Sequence, residues 1–315
     1  MRKFVKSRKM AALLIAAAVL AAILCLAVFL PGALRKAKES GEIYVSGDCA
    51  SKLDYPLKEK SLERAALRFR YLYDNYLAGK GLSIYFSVIP DKNYFLAEES
   101  GYSAMDYDQL REDLKNRLDY MQYVEIFDCL ELEDYYRTDS HWRQERIGKV
   151  ARRLGEALGV SQYLAADYEE RSAGLFTGSY MREGTLEMEP DELRYLVSPE
   201  LENCTVYHYL DGRTTPVYDW EKLRDKDAYG FFLSGTDPIL TIENPEAGTD
   251  RELVIFRDSF CSSLAPLLVG GYRKITLVDI RYVRSDNLGT YLTFQDQDVL
   301  FLYSTLVLNN SAILR

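Results

Sequence analysis

A chain of 315 residues with 48% hydrophobic content can bury one substantial core or two small ones, and this composition excludes an intrinsically disordered protein. The formal net charge is -9, yet residues 2–9 hold five basic side chains (Arg2, Lys3, Lys6, Arg8 and Lys9) and residues 35–39 add a net +2, which leaves about -16 on residues 41–315. So acidic a body repels phosphates, which argues against nucleic acid and anionic lipid as partners.

Residues 1–10 read as a basic cytoplasmic tail. Ala11 to Leu30 is uncharged and apolar, long enough at about 1.5 Å per residue to cross a bilayer as one N-terminal transmembrane helix. The basic flank stays in the cytoplasm and sends the rest outside. A cleaved signal peptide competes with this reading, since secretory apolar cores run about 7–15 residues before small residues at the cut. Here the run is longer and is followed by Pro31-Gly32-Ala33-Leu34-Arg35-Lys36, which favours an uncleaved anchor. Cys25 raises lipid attachment, but Leu24 is bulky where lipoprotein processing requires a small residue. The remaining cysteines, Cys49, Cys129, Cys204 and Cys261, are widely spaced and form no C-x-x-C pair. Their even number permits bridges, but the spacing is that of neither a disulfide scaffold nor a zinc site, so four separate, mostly buried thiols are expected.

Residues 31–60 are expected as a stalk and lead-in to a single domain over 61–315. Helical spacing runs from Ser61, a candidate cap, to Leu77, with Gly79 and Gly81 as the stop. Leu82 to Ile89 reads as a strand stopped by Pro90-Asp91-Lys92-Asn93, Ala104 to Leu118 as a helix, and Tyr123 to Phe127 as a short strand. Arg143 to Leu158 carries an apolar stripe of Ile147, Val150, Ala151, Leu154 and Leu158 and ends at Gly159, as an amphipathic helix does. Residues 163–250 change in texture, with many Tyr, Thr and Gly and turn signals at Asp211-Gly212 and Asn244-Pro245. They read as an irregular β-rich insertion rather than a separate domain. The rhythm then resumes: strand Leu253 to Phe256, helix Ser262 to Leu268, strand Lys274 to Ile280, a helical turn near Leu288, and strand Val299 to Tyr303. Alternating helices and strands imply an α/β fold with a mostly parallel sheet flanked by helices.

Two stretches carry candidate chemistry. In Tyr135-Tyr136-Arg137-Thr138-Asp139-Ser140-His141-Trp142 an acid and an imidazole stand two residues apart. In an extended chain both point to one side, so Asp139 can hold His141 in one tautomer. The third member of such a set is expected in Leu253-Val254-Ile255-Phe256-Arg257-Asp258-Ser259-Phe260, an apolar run that ends at a serine before a helix, the geometry that exposes a nucleophile at a strand's carboxyl end.

Together with Val88-Ile89-Pro90-Asp91-Lys92, these stretches lie in the order found in the DHHW protein family and its relatives, the alginate O-acetyltransferases of the AlgX and AlgJ type, and the chain resembles them over most of residues 61–315. The resemblance implies an SGNH hydrolase-like fold and a D-x-H-W signature whose Asp and His serve a later Ser, matched here by Asp139, His141 and Ser259. Ser140 stands where a literal DHHW has its first His, and the acetyltransferase relatives also vary there. The substrate is left open, because the family is split between acetyltransferases and uncharacterised members. The resemblance further implies an extracellular polysaccharide or cell-wall glycan as acceptor and a membrane-bound O-acyltransferase partner as acetyl donor.

Each candidate has a plainer alternative. Ser259 is either the nucleophile, with its N–H in an oxyanion hole, or an ordinary helix cap, a task open equally to Asp258 and Ser262. His141 is a general base or a structural histidine bonded to Asp139. His208, in a β alternation without an adjacent acid, is expected to pack. Lys92, Trp142 and Arg257 are candidate substrate contacts, against salt-bridged or solvated roles for Lys92 and Arg257 and a core role for Trp142. His and Cys are too sparse for a metal site, and no metal or organic cofactor is implied. A glycoside hydrolase using two carboxylates from Glu131, Glu133 and Asp134, and a noncatalytic polysaccharide-binding protein, are the rivals from other classes.

Overall fold

The computed structural model describes residues 40–183 and 186–315. The basic tail, the expected anchor, Cys25 and nearly all of the expected Arg35–Gly41 stalk lie outside them. Among the described residues no helix is long and apolar enough to cross a membrane.

Strands buried on both faces read as unbroken apolar runs, and the sheet is built on four of these. The chain opens with an antiparallel ribbon of β1 (Ile43–Ser46) and β2 (Cys49–Lys52), followed by α1 (Glu59–Leu72), β3 (Ile84–Ile89), the one-turn α2 (Asn93–Leu96), α3 (Tyr107–Arg117) and β4 (Gln122–Tyr123). After the Asp139–His141 segment come α4 (Gly148–Ala157), β5 (Glu169–Phe176), α5 (Ser179–Glu183), β6 (Asp191–Val197), α6 (Pro199–Asn203), β7 (Thr205–His208), β8 (Thr214–Pro216) and β9 (Ile239–Glu243). The chain closes with β10 (Glu252–Arg257), α7 (Cys261–Leu264), β11 (Lys274–Val278), β12 (Asp298–Ser304) and α8 (Thr305–Leu308). Eight strands form one sheet in the order β4-β3-β12-β10-β11-β9-β7-β8; the first five run parallel, and β9, β7 and β8 extend it antiparallel.

The period-2 alternation of the central strands sorts their side chains into two cores. Leu253, Ile255, Ile275, Leu277, Leu300 and Leu302 face one layer with Val150 and Leu154 of α4. Val254, Phe256, Val299, Phe301, Phe86 and Val88 face the other, with Leu62 and Phe69 of α1 and Leu110 of α3. The result is helices on both faces of a sheet, the mixed α/β architecture expected.

Several boundaries differ from the sequence reading for local reasons. Helix α1 begins at Glu59, and Ser61 lies inside it, buried, donating to the Leu308 carbonyl at 2.9 Å instead of capping. Helix α3 is capped by Asp106, which accepts from the Gln109 N–H at 2.8 Å. Helix α4 starts at Gly148, because Gln144 is buried and its side chain binds the Ser263 carbonyl and the Leu196 N–H instead of solvent. Residues 43–52, read as lead-in, form the ribbon, and Tyr44 and Leu53 pack there against Leu96 and Tyr102. The 163–250 stretch divides: β5 and β6 make their own hairpin, while β7, β8 and β9 join the main sheet. Among the described residues Cys49, Cys129, Cys204 and Cys261 are buried and free, as expected.

Candidate active site

The carboxyl ends of the parallel strands β3, β10 and β12 hold the polar groups, because a strand that ends there frees its chain to turn into a loop. After β10, Asp258 is buried; its Oδ1 accepts from the Phe260 N–H at 3.1 Å and its Oδ2 from the Ser304 N–H at the end of β12 at 2.7 Å. Asp258 thus braces the turn into α7 and Ser259 does not cap it. The Ser259 hydroxyl lies 2.7 Å from His141 Nε2.

Residues 137–141 are bent, not extended. Asp139 and His141 meet because Asp139 Oδ1 accepts from both the His141 backbone N–H at 2.9 Å and Nδ1 at 2.6 Å, an Asx-type turn. The expected pair therefore forms by a different geometry from that inferred for a strand. Asp139 Oδ2 accepts from the Ser179 N–H at 2.6 Å. Burial raises the Asp139 carboxyl's pKa, but the His141 imidazole and the hydrogen bonds from His141 and Ser179 outweigh it and hold the carboxyl below its ordinary range. An ionised carboxylate only accepts, so Nδ1 carries the hydrogen and Nε2 is free to accept from the Ser259 hydroxyl. Cys261, two residues past Ser259, is no rival nucleophile: burial pushes its thiol up to about 12.

His141 is clamped between rings. Tyr229 stacks on it with centroids 3.8 Å apart and planes 7° from parallel, and Phe260 tilts against it at 4.9 Å. The Tyr229 hydroxyl bonds Ser263 Oγ at 2.8 Å, and the same Oγ accepts from Trp142 Nε1 at 3.0 Å. Nothing local in the sequence marked Tyr229, which lies in the insertion 88 residues beyond His141.

The other candidates are placed behind these groups. Trp142 is fully buried, with Nε1 also donating to the Phe260 carbonyl at 2.9 Å, so it is core and offers no face to a sugar. Lys92 is buried, and its Nζ donates to the carbonyls of Tyr136 at 2.8 Å and Arg137 at 3.3 Å, just upstream of Asp139. Burial lowers its pKa while Cys49 and Asp139 oppose that shift. Lys92 is a strut for the loop, not a substrate contact. Arg257 is buried under the serine turn, with Nη1 donating to Ser262 Oγ at 3.3 Å and Nη2 to the Asp237 carbonyl at 3.4 Å. Of the carboxylates considered for a hydrolase, Asp134 is buried and bound to the Glu131 N–H and Arg146, and Glu131 and Glu133 are exposed. His208 does find an acid, Asp237, and its Nε2 meets Thr215 Oγ1 at 2.8 Å; all of this ties β7 to β8 within the core.

A cavity of about 460 Å³ opens beside the Asp139 loop, lined among others by Lys52, Asp54, Ser140, Ser179, Tyr180 and Asn310. Ser140 and Ser179 bring it directly alongside the Asp139–His141 pair.

No protein-family model and no curated protein matches the chain. Solved structures do match. A DHHW family protein from Eubacterium siraeum DSM 15702 is 19% identical with a TM-score of 0.66, covering 86% of this chain and 93% of that one. PatB1 of Bacillus cereus is 17% identical with a TM-score of 0.65, covering 85% of this chain and 97% of its own. The same PatB1 with a sulfonyl adduct matches at 18% identity and a TM-score of 0.63, over 85% of this chain and 96% of that one. At these identities the likeness is one of fold, and the chain has the fold of the Eubacterium siraeum DHHW family protein and of Bacillus cereus PatB1.

Proposed function

We propose that this protein is a membrane-anchored, extracytoplasmic, serine-dependent O-acetyltransferase acting on a cell-surface or exported polysaccharide. One observation supports this above all: Ser259 Oγ, His141 Nε2, His141 Nδ1 and Asp139 Oδ1 form a continuous hydrogen-bonded line with steps of 2.7 and 2.6 Å. A hydroxyl is a weak nucleophile at neutral pH, and this line is the arrangement that activates one. His141 Nε2 takes the Ser259 proton as Oγ adds to the carbonyl carbon of an acyl ester. The ester C–O bond then breaks, and the leaving alkoxide takes that proton from Nε2, leaving an acyl-serine. A sugar hydroxyl repeats the two steps on the acyl-serine, giving the new ester and free Ser259. Asp139 keeps the ring oriented and balances the charge of the imidazolium. The Ser259 N–H, which bonds no backbone acceptor among the described residues, is the donor assigned to the developing oxyanion. By the resemblance the acetyl group is delivered by a membrane-bound O-acyltransferase partner, with residues 11–30 holding the protein at the membrane. Water in place of the sugar makes the same site a carbohydrate esterase.

The test is acetate release from a chromogenic acetyl ester by residues 40–315, with Ser259→Ala and His141→Ala alongside. Release is expected to disappear in both variants, and intact mass is expected to find an acetyl adduct on Ser259 of the wild type. If no adduct forms even with a native donor system, the noncatalytic polysaccharide-binding reading replaces this one.

A further inference from the structure

The chain has two tryptophans, and they are opposites: Trp142 is sealed in the core, while Trp220 is 51% exposed. An exposed tryptophan is ordinarily mobile, but Trp220 meets two rings near perpendicular, Tyr195 at 5.7 Å and 86° and Phe231 at 5.2 Å and 81°. Two contacts near perpendicular fix the plane of the indole and leave part of the ring to solvent. Tyr218 completes the support, stacked on Phe231 at 5.2 Å and bonded through its hydroxyl to the Leu196 carbonyl. The backbone beneath is pinned as well: the Asp219 N–H donates to the Phe231 carbonyl at 2.8 Å, and Leu233 N–H to the Val217 carbonyl at 3.0 Å. Leu233 and Ser234 have φ of 58° and 60°, a left-handed conformation that non-glycine residues hold only where their surroundings impose it.

Trp220 forms one wall of a cleft of about 300 Å³, together with Tyr195, Tyr218, Pro216, Arg171 and Glu202. That volume is at the small end of ligand clefts, which span roughly 300–1,000 Å³. Stable protein interfaces bury roughly 800 Å² on each partner, so the size suits a ring, not a protein face. At the rim Arg171 is held by Glu169 through two bonds of 2.8 Å and lies 3.5 Å from Glu202, so one cation stands among two carboxylates. A pyranose has the matching chemistry, with C–H bonds on its faces for the indole and hydroxyls around its edge for the Arg and Glu. With Glu169 and Glu202 against the single Arg171 the rim is net acidic, and the acidic body also repels an anion, so an uncharged sugar fits and a uronate does not.

We propose that this cleft is a second glycan subsite, separate from the serine, that holds an uncharged pyranose of the acceptor chain against Trp220. This rests on the acceptor being a glycan. A physical link ties it to the candidate active site: the single turn Ala228–Phe231 supplies both Tyr229, stacked on His141, and Phe231, backing Trp220.

The test titrates chitotetraose and, separately, tetragalacturonate into the Ser259→Ala chain, so that binding is read without turnover. Calorimetry gives affinity, and iodide quenching of tryptophan emission reports Trp220, because Trp142 is out of reach of the quencher. Chitotetraose is expected to bind saturably and protect the emission, tetragalacturonate to do neither, and Trp220→Ala to weaken chitotetraose at least about tenfold. Should Trp220→Ala fail to fold, protection in the Trp220-containing chain decides alone. No binding of chitotetraose, binding without protection of Trp220, or equal binding of the uronate overturns the proposal. Absence of chitotetraose binding to Ser259→Ala, when the wild-type chain still forms an adduct on Ser259, overturns the subsite and leaves the acyl-serine reading standing.

Discussion

In the proposed reaction two demands compete at His141: the ring must be fixed to meet Ser259, and it must accept a positive charge. The Tyr229 ring meets both, since a parallel stack at 3.8 Å fixes the plane and its electron-rich face stabilises a cation. Tyr229→Leu is therefore expected to lower kcat/KM for a chromogenic acetyl ester by roughly tenfold or more, equivalent to at least about 1.4 kcal/mol. Tyr229→Phe keeps the ring and loses only the bond to Ser263, so it is expected to retain most of the rate; equal losses in the two variants would remove the stacking explanation. At this scale Asp139, His141 and Ser259, which the fold brings together, could be singled out in the chain because an acid, an imidazole and a serine are recognisable as residue types in local settings. Tyr229 could not, because a stacking tyrosine among 25 tyrosines carries no local mark. Lys92 and Arg257 were candidate substrate contacts in the chain, but only burial showed that they brace the backbone.

Among the elements, the insertion is what makes the Asp139 loop rigid. Asp191 of β6 accepts from the Thr138 N–H at 2.8 Å and its hydroxyl at 2.6 Å, and α5 adds the Ser179 bond to Asp139. Gly178, just before α5, sits against that loop with its N–H on Thr138 Oγ1 at 3.0 Å. A Cβ there would overlap the Thr138 carbonyl and crowd the Asp139 nitrogen, both backbone groups that cannot swing aside. Gly178→Ala is expected to push the Asp139 loop away and lower kcat by on the order of 100-fold, while circular dichroism stays native; wild-type activity would mean that the loop tolerates displacement. The long-period helices and the central strands were legible because burial imposes their 3.6 and 2 periods on neighbouring residues. The division of 163–250 into a hairpin and a sheet extension was not, since short strands with exposed faces repeat no pattern.

For the molecule as a whole, Asp91 is the knot between the sheet and the helices around it. Buried at the end of β3, it accepts from Tyr107 at the start of α3 at 3.1 Å, from Thr305 at the start of α8 at 2.7 Å and from the Asn93 N–H at 2.8 Å. Burial wins over these bonds and raises its carboxyl from 3.8 to about 6. Between those values the folded chain binds a proton that the unfolded chain has released, so this group makes stability fall as pH rises from about 4 to about 6. The drop is on the order of 3 kcal/mol and is complete above that window. Asp91→Asn cannot titrate, and chemical denaturation across this range is expected to show a flatter dependence in the variant than in the wild type; identical slopes would remove Asp91 as the cause.

The Pro90-Asp91-Lys92 segment illustrates where local information ends. Its residues could be matched as a motif, and the turn after the strand followed from Pro and Asp alone, because backbone restriction acts within a few residues. That Asp91 joins two helices to β3, that Lys92 holds a loop 44 residues away, and that Trp142 rather than Trp220 is the buried indole are consequences of packing distant segments together. Composition, the α/β rhythm and the identity of the candidate residues are local properties and survive in the one-dimensional chain. The support around those groups comes from desolvation and from hydrogen bonds between segments far apart in sequence, which exist only once the chain has folded.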